Sequence, residues 1–184
     1  MVYIPTGNEL IDPFKVLEAA GIRSGMRVAD FGCGTLGHYV FPAAHLVGPE
    51  GKVFAVDILK SVLNSIESRA KMESVTNVEV LWGDIERSNG MHIPDNTLDI
   101  GLLINNLFMS KQKEAMMKEC VRTVRPGGTF VIIDWNPAGV NFGPDGASRV
   151  TPEVSKSLAE AAGLEFGKEI DPGQYHYGFV YLKP

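Results

Sequence analysis

Several features that would place this chain in a specialised class of protein are missing. No apolar run reaches the roughly 18–20 residues that a membrane-spanning helix needs. Only two cysteines occur, Cys33 and Cys120, and neither belongs to a metal-ligand spacing. The first residues lack the charged-then-apolar pattern of a secretory signal. We therefore expect a cytoplasmic protein with no membrane span and no bound metal.

Clusters of basic residues are also scarce. The net charge is −5, and the densest basic stretch, residues 111–118, is diluted by acidic neighbours such as Glu114 and Glu119. Phosphate backbones bind through clustered Lys and Arg side chains. The composition therefore disfavours RNA or DNA as a substrate.

What the chain does contain is a regular alternation of short apolar runs and helical patterns. The predicted strands are residues 27–31, 52–57, 78–82, 98–104, 130–134, 164–170 and 175–182. Helical patterns follow Asp12-Pro13 and Thr151-Pro152, where Asp12 and Thr151 suit helix N-caps. Apolar residues at helical spacing also lie around residues 39–47, at residues 62–70, and at Met116, Cys120 and Val124. The last two strands are separated by Asp171-Pro-Gly-Gln174, which suits a hairpin, so we expect the final strand to be antiparallel. This pattern predicts an α/β domain with helices on both faces of a mostly parallel sheet.

The length and composition indicate one domain. At 184 residues with 45% hydrophobic and 21% charged residues, the chain can bury a full core. We therefore expect residues 1–184 to form a single domain. Residues 1–12 are a candidate N-terminal lid, and the Gly-, Pro- and Asn-rich stretch 135–150 is a candidate mobile loop.

A glycine-rich loop follows the first predicted strand. Gly32, Gly34 and Gly37 form the pattern G-x-G-x-x-G, and Asp57 ends the next strand, twenty residues after the last glycine. Glycines let the backbone approach a ligand closely, and a carboxylate at this distance can accept both hydroxyls of a ribose. The loop alone leaves three interpretations open: a site for an adenosine-containing cofactor, a dinucleotide fingerprint, and a tight turn without a ligand.

Three later segments distinguish these interpretations. Trp82-Gly83-Asp84 follows the third strand, Ile104-Asn105-Asn106 ends the fourth, and Arg125-Pro-Gly-Gly128 precedes the fifth. With these segments in this order, the chain resembles the class I S-adenosylmethionine-dependent methyltransferases over essentially their whole minimal domain. It is most similar to the branch that includes ubiquinone- and menaquinone-biosynthesis methyltransferases. The resemblance implies a Rossmann-like seven-stranded sheet of order 3-2-1-4-5-7-6 with strand 7 antiparallel.

The resemblance also implies the cofactor, S-adenosylmethionine, its product S-adenosylhomocysteine, and a set of binding residues. These residues are Asp30, Gly32, Cys33, Gly34, Asp57, Ile58, Asp84, Ile85 and Asn105. In this assignment Asp57 holds the ribose, Ile58 packs on the adenine and Asp84 accepts from the adenine amino group.

The methionine part of the cofactor would lie at the other end of the glycine loop. The resemblance places it against Gly32 and Gly34, with Asn105 beside its amine and the sulfonium. Asp30 would act through water or the loop backbone.

The candidate catalytic residues are His38, His176 and Tyr175. Loops after parallel strands meet at one edge of the sheet, and the turn between strands 6 and 7 reaches the same edge. The two histidines are candidate general bases, needed if the acceptor is protonated at working pH. Tyr175, with Phe108 and Trp135, is a candidate aromatic wall for a flat or cationic acceptor.

The sequence favours methylation of a small molecule and leaves other functions open. The chain has no inserted substrate domain, so short loops, the N-terminal segment or a partner protomer of a homo-oligomer would bind the acceptor. Asp134 and Asn136 only partly match the ligand set of magnesium-dependent catechol-type enzymes. The alternatives are an S-adenosylmethionine-binding protein without turnover, such as a regulator or an inactive subunit, and an NAD(P)-dependent oxidoreductase.

Overall fold

The computed structural model describes residues 10–137 and 142–184. Within these residues the strands are β1 Arg27–Phe31, β2 Lys52–Asp57, β3 Val78–Trp82, β4 Leu98–Ile104, β5 Val124–Trp135, β6 Glu165–Ile170 and β7 His176–Leu182. The helices are α1 Pro13–Ala19, α2 Val40–Val47, α3 Lys60–Met72, α4 Lys113–Thr123 and α5 Pro152–Ala161. A short 3₁₀ turn covers Gly146–Ser148.

The strands form one seven-stranded sheet of order β3-β2-β1-β4-β5-β7-β6. Neighbouring strands from β3 to β5 are parallel, whereas β7 is antiparallel to both β5 and β6. The predicted strand order and the antiparallel last strand are therefore confirmed. The carboxyl ends of β1 to β6 consequently lie at the same edge of the sheet, together with the first residue of β7.

Two of the predicted helix starts are capped as the sequence suggests. The Asp12 carboxylate accepts a hydrogen bond from the Phe14 N–H at 3.0 Å, with Pro13 in the first turn of α1. The Thr151 hydroxyl accepts from the Val154 N–H at 3.3 Å at the start of α5. Each cap satisfies a backbone donor that has no partner inside its helix.

The core consists of two apolar layers, one on each face of the sheet. Helices α1, α2 and α3 contribute buried residues such as Leu17, Ala43 and Ile66 to one layer. Helices α4 and α5 contribute buried residues such as Met117 and Ala159 to the other. The sheet is thus covered on both faces, as the alternation of elements predicts. In the described part of the chain, no helix is long and apolar enough to cross a membrane.

The sequence prediction was wrong about the start of β5. Val124 was expected on the face of α4 and the strand was expected to begin at Phe130, but β5 begins at Val124. Val124 pairs with Leu98 of β4, and Gly127 and Gly128 exchange backbone hydrogen bonds with Lys183. These long-range pairings extend the strand through the Pro-Gly-Gly segment, which local propensity assigns to a turn.

Helix α5 buries a different face from the one its larger apolar residues suggest. The fully buried side chains are Ser155 and Ala159, whereas Val154 is exposed. Small residues on the inner face let this helix lie close to the sheet.

Candidate functional site

The glycine loop lies between β1 and α2, at the carboxyl edge of the sheet. The backbone N–H groups of Gly32 and Cys33 both donate to the carbonyl of Val56, at 2.8 and 3.1 Å, so the loop crosses the end of β2. Gly32 has a φ of +68°, and a Cβ at this position would collide with the side-chain amide of Asn106. Both the backbone conformation and the space available therefore require glycine here.

Asp57 links this loop to the end of β2. Its two carboxylate oxygens accept hydrogen bonds from the N–H groups of Gly34, at 3.3 Å, and Leu59, at 2.9 Å. The side chain is buried and borders a large cavity. Each carboxylate oxygen has two lone pairs, so both oxygens can also accept from the hydroxyls of a ligand.

The larger cavity has a volume of about 810 Å³ and lies beyond the ends of β1 to β4. Its apolar wall is formed by Ile58, Leu59, Val62, Met109 and Met116. Its polar groups include Asp57, Asp84, Glu86 and Gln112. An apolar wall with a few polar groups suits a flat, partly polar ligand such as a nucleoside.

Asp84 lies on the loop that follows β3 and borders this cavity. Its Oδ1 accepts from the Glu86 N–H at 3.0 Å, and its own N–H donates to the Gly90 carbonyl at 3.0 Å. Next to it, the indole N–H of Trp82 donates to the carbonyl of Ile58 at 2.9 Å. The loop after β2 is thus joined to the last residue of β3 by a direct hydrogen bond.

A smaller cavity of about 220 Å³ lies on the other side of Gly32. Its walls are formed by Leu10, Ile11, Asp30, Gly32, Cys33, Leu36, His38, Tyr39, Ile104 and Asn105. Gly32 is shared by both cavities. Gly32 therefore lies between the two spaces.

The smaller cavity contains buried acceptors without protein donors. Among residues 10–137 and 142–184, no hydrogen-bond partner reaches Oδ2 of Asp30, Oδ1 of Asn105 or the hydroxyl of Tyr39. Asn105 is held in a left-handed conformation, φ +57°, at the end of β4. Buried polar groups are almost always paired, so these atoms are available to water or to a ligand in the cavity.

The charge state of Asp30 depends on its surroundings. Burial, with a further contribution from the negative charge of Asp57, raises the pKa of Asp30 to about 7. The carboxyl is only 3% exposed. A cation bound beside Asp30 would favour the ionised carboxylate and lower this pKa.

The cofactor residues inferred from the sequence lie together at this edge. Each of the nine borders one of the two cavities. The larger cavity has Gly34, Asp57, Ile58, Asp84 and Ile85, the smaller has Asp30, Cys33 and Asn105, and Gly32 borders both.

The candidate catalytic residues separate into two groups. His38 borders the smaller cavity, and its Nε2 lies 2.9 Å from the Ile11 carbonyl. Because a carbonyl can only accept, Nε2 carries a hydrogen and Nδ1 is the ring atom that can take up a proton. His176 and Tyr175 border neither of these two cavities.

His176 lies at the start of β7, opposite Trp135 of β5, with their ring centroids 4.2 Å apart. It is 3% exposed, and neither ring nitrogen has a hydrogen-bond partner in the described part of the chain. Burial, with a smaller contribution from the charge of Arg149, lowers the pKa of His176 to about 4. The imidazole is therefore neutral at physiological pH.

The candidate aromatic wall is only partly assembled. Trp135 and Tyr175 both contact the ring of Phe142, with centroid distances of 5.8 and 5.7 Å. Phe142 was not singled out from the sequence. Among the residues that the structure describes, the Phe108 ring contacts none of these three rings.

Arg149 is a further residue that the sequence analysis missed. Its guanidinium donates to the carbonyls of Asn136, Phe142 and Pro144, at 2.7–3.0 Å, and lies 5.8 Å from the Trp135 ring. The side chain thus holds both ends of the loop after β5. An Arg inside a Gly- and Pro-rich stretch was the available signal, but the carbonyls it binds are set by the tertiary fold.

Asp134 was considered above as part of an incomplete metal-ligand set. In the structure its carboxylate binds backbone N–H groups. It is fully buried, and its two oxygens accept from the N–H groups of Leu107, at 2.9 Å, and Trp135, at 2.8 Å. Burial raises the pKa of Asp134 to about 6, although these backbone hydrogen bonds oppose the shift.

Two of the predicted segments are only partly described. In the candidate lid, residues 1–9 lie outside the described residues, whereas Leu10 and Ile11 border the smaller cavity. In the candidate loop, residues 138–141 lie outside them.

Comparison with known proteins agrees with this geometry. Residues 22–174 match a family model described as a methyltransferase domain. A ubiquinone/menaquinone biosynthesis C-methyltransferase of Ectopseudomonas mendocina is 31% identical over 169 residues, which cover 91% of this chain and 63% of that protein. A demethylmenaquinone methyltransferase of Lactococcus lactis is 30% identical over 122 residues, covering 65% of this chain and 46% of that protein. This chain thus spans about half to two thirds of the length of these curated relatives.

A solved structure covers more of the chain. The crystal structure of a SAM-dependent methyltransferase from Aquifex aeolicus superposes with a TM-score of 0.89 at 28% sequence identity. The match covers 98% of this chain and 94% of that one.

Proposed function

This chain belongs to the methyltransferase-domain family, among the class I S-adenosylmethionine-dependent methyltransferases, and we propose that it transfers a methyl group from S-adenosylmethionine to a small-molecule acceptor. The observation that carries the proposal is the pair of cavities that meet at Gly32. One has the dimensions and carboxylates that a nucleoside needs, and the other has unpaired buried acceptors.

The residues of the larger cavity fit the adenosine part of the cofactor. Asp57 is fixed by Gly34 and Leu59 and retains lone pairs for the ribose hydroxyls. Ile58 offers an apolar surface for the adenine, and Asp84 can accept from its amino group.

The residues of the smaller cavity fit the amino-acid part. An ammonium group supplies three donors, and Oδ2 of Asp30 and Oδ1 of Asn105 are buried acceptors that lack a donor among the described residues. Cys33 and Gly32 form the backbone between these acceptors and the larger cavity. A bound cation would thus supply the missing donors.

When bound, S-adenosylmethionine supplies an electrophilic methyl group for an in-line displacement. The protein contributes position and desolvation, and removes a proton where the acceptor has one. His38 is the candidate base, since it borders the smaller cavity and its Nδ1 is the proton-accepting atom. His176 and Tyr175 remain candidates that would require the acceptor to extend toward the loop after β5.

The acceptor is proposed to be small, with an apolar body. Leu10, Ile11 and Leu36 lie with His38 around the smaller cavity, so an acceptor bound there would contact them beside the amino-acid part of the cofactor. The names of the relatives make a quinone-biosynthesis precursor the first acceptor to test. Three further properties remain predictions from the sequence. They are a single domain, assembly as a homo-oligomer and a cytoplasmic location.

The first test is calorimetric titration with S-adenosylhomocysteine, NAD and NADP, using wild type and Asp57→Ala. We expect micromolar binding of S-adenosylhomocysteine that is lost in Asp57→Ala. Binding of NAD or NADP without a response to S-adenosylhomocysteine would overturn the proposal and support the oxidoreductase.

A methyl-transfer assay then separates an enzyme from a binding protein. We expect transfer to a quinone precursor, and about 10²–10⁴-fold slower transfer in His38→Gln with S-adenosylhomocysteine binding retained. Cofactor binding with no product from any acceptor class would instead support a binding protein without turnover.

A further inference from the structure

The loop that carries Asp84 is hydrogen-bonded to a buried carboxylate, that of Glu119, which borders neither cavity. Glu119 of α4 has a side chain only 1% exposed. Its Oε2 accepts from the Asn89 N–H at 2.9 Å, and its Oε1 accepts from the Met91 N–H at 3.2 Å. The carboxylate therefore binds two backbone donors of the loop after β3.

Arg122, one turn later on α4, completes this arrangement. Its Nε and one terminal nitrogen donate to the two oxygens of Glu119, at 3.0 and 2.7 Å. Its other terminal nitrogen donates to the Ile93 carbonyl at 2.9 Å. The bidentate pair compensates the buried charge of Glu119 and fixes its orientation toward the loop.

The part of the loop that Glu119 binds, residues 89–91, is hydrogen-bonded to the part that borders the larger cavity, residues 83–84. Gly83 forms an antiparallel bridge with Met91, and the Asp84 N–H donates to the Gly90 carbonyl at 3.0 Å. Gly90 also has no room for a side chain, since a Cβ would collide with the carbonyl of Asp84. The peptide group between Gly90 and Met91 thus binds Asp84 through its carbonyl and Glu119 through its N–H.

We propose that Glu119 is a positioning residue that sets the recognition of the adenine amino group by Asp84 without touching the ligand. This inference rests on the proposed function, because it requires adenine in the larger cavity. Helix α4 then contributes two residues to the site. Glu119 positions the loop, and Met116, one turn before it, forms part of the wall of the larger cavity.

The test compares two ligands that differ at the base. S-adenosylhomocysteine carries the amino group, whereas S-inosylhomocysteine has a carbonyl oxygen there, which the Asp84 carboxylate would repel. Wild type should prefer S-adenosylhomocysteine by about tenfold or more, because the site is built to accept a hydrogen bond at that position.

Glu119→Gln should reduce this preference. The amide has one oxygen and one NH₂ group, so it cannot accept from both Asn89 and Met91, and the loop shifts. Asp99→Asn is the matched control, because Asp99 also accepts from a backbone N–H, of Arg27, and from an arginine, Arg125, but at the opposite edge of the sheet. A purely structural loss would weaken both ligands equally and leave their affinity ratio unchanged.

A lower ratio in Glu119→Gln, with the wild-type ratio in Asp99→Asn, supports the proposal. An unchanged ratio in folded Glu119→Gln overturns it. If Glu119→Gln does not fold, Arg122→Lys decides by the same criterion, since lysine keeps the charge but loses the bidentate contact. If wild type fails to bind S-adenosylhomocysteine at all, the proposed function fails, which is a separate result.

Discussion

The backbone N–H of Gly34 donates a hydrogen bond to the Asp57 carboxylate, with 3.3 Å between nitrogen and oxygen. This contact joins the glycine loop after β1 to the end of β2 across the sheet. A single carboxylate thereby orders one wall of the cavity and presents acceptors to its interior. The geometry of the loop and the chemistry of ligand binding depend on the same residue.

Asp57→Asn separates these two roles. The amide oxygen can still accept one backbone hydrogen bond, but the charge and one acceptor are lost. We expect about 10- to 100-fold weaker binding of S-adenosylhomocysteine in calorimetry, with a small change in thermal stability. Wild-type affinity in this variant would contradict a role of the Asp57 charge in binding.

Asp30→Asn should make the ligand-free protein more stable at high pH. The pKa of Asp30 is raised from 3.8 to about 7, so the unfolded chain ionises before the folded one. Folded wild type therefore loses stability as the pH rises from about 4 to about 7, a loss that asparagine does not undergo. Denaturant melts of both proteins from pH 4 to 8 measure the difference. It should be largest above pH 7 and should shrink toward pH 4.

The same pair of proteins contains its own control. Asp134 and His176, with pKa values of about 6 and about 4, change charge over part of this range in both proteins, so their effect cancels in the difference. A difference that does not vary with pH would contradict the shifted pKa of Asp30.

Gly32→Ala should damage both stability and binding. The added methyl group would meet the Asn106 amide, and the φ of +68° disfavours any residue with a Cβ. We expect a loss of more than about 1 kcal/mol in the free energy of unfolding and no measurable S-adenosylhomocysteine binding. Gly146→Ala is the matched control, because open space surrounds that position. Equal behaviour of the two variants would refute the steric explanation.

Arg149→Lys should loosen the loop after β5 and leave the cofactor side intact. The guanidinium reaches the carbonyls of Asn136, Phe142 and Pro144 from three separate nitrogens, whereas the donors of an ammonium group all lie on one nitrogen and do not match this spacing. We expect about 1–3 kcal/mol lower stability and faster limited proteolysis within residues 136–149. The affinity for S-adenosylhomocysteine should not change. A fall in that affinity would show that this loop contributes to cofactor binding.

The strand pattern allowed most of the fold to be predicted. The bounds of β1, β2, β3 and β4 were predicted as the structure has them, because buried parallel strands appear as short apolar runs between glycine- and proline-rich turns. The start of β5 was not, because Val124 continues the helical spacing of α4 and only its pairing with Leu98 places it in the strand.

The candidate site was predictable where one local motif carried the information. Asp57 and the glycines follow a fixed spacing, so they could be found by counting residues. Glu119 and Arg149 could not. Glu119 binds the N–H of Asn89, which lies far from it in the sequence, and Arg149 binds carbonyls of its own loop that only the tertiary fold brings within reach. Hydrogen bonds of this kind leave no periodic trace in a sequence.

The hydrogen bond between Trp82 and the Ile58 carbonyl has a practical consequence. Trp82 is 46% exposed and is bonded to Ile58, which lines the larger cavity. The second tryptophan of the chain, Trp135, is 9% exposed and packs against Arg149 and Phe142. The protein therefore contains two intrinsic fluorophores, one beside each functional loop. With either indole replaced by phenylalanine, the remaining emission becomes an optical readout of a single loop, without any attached label.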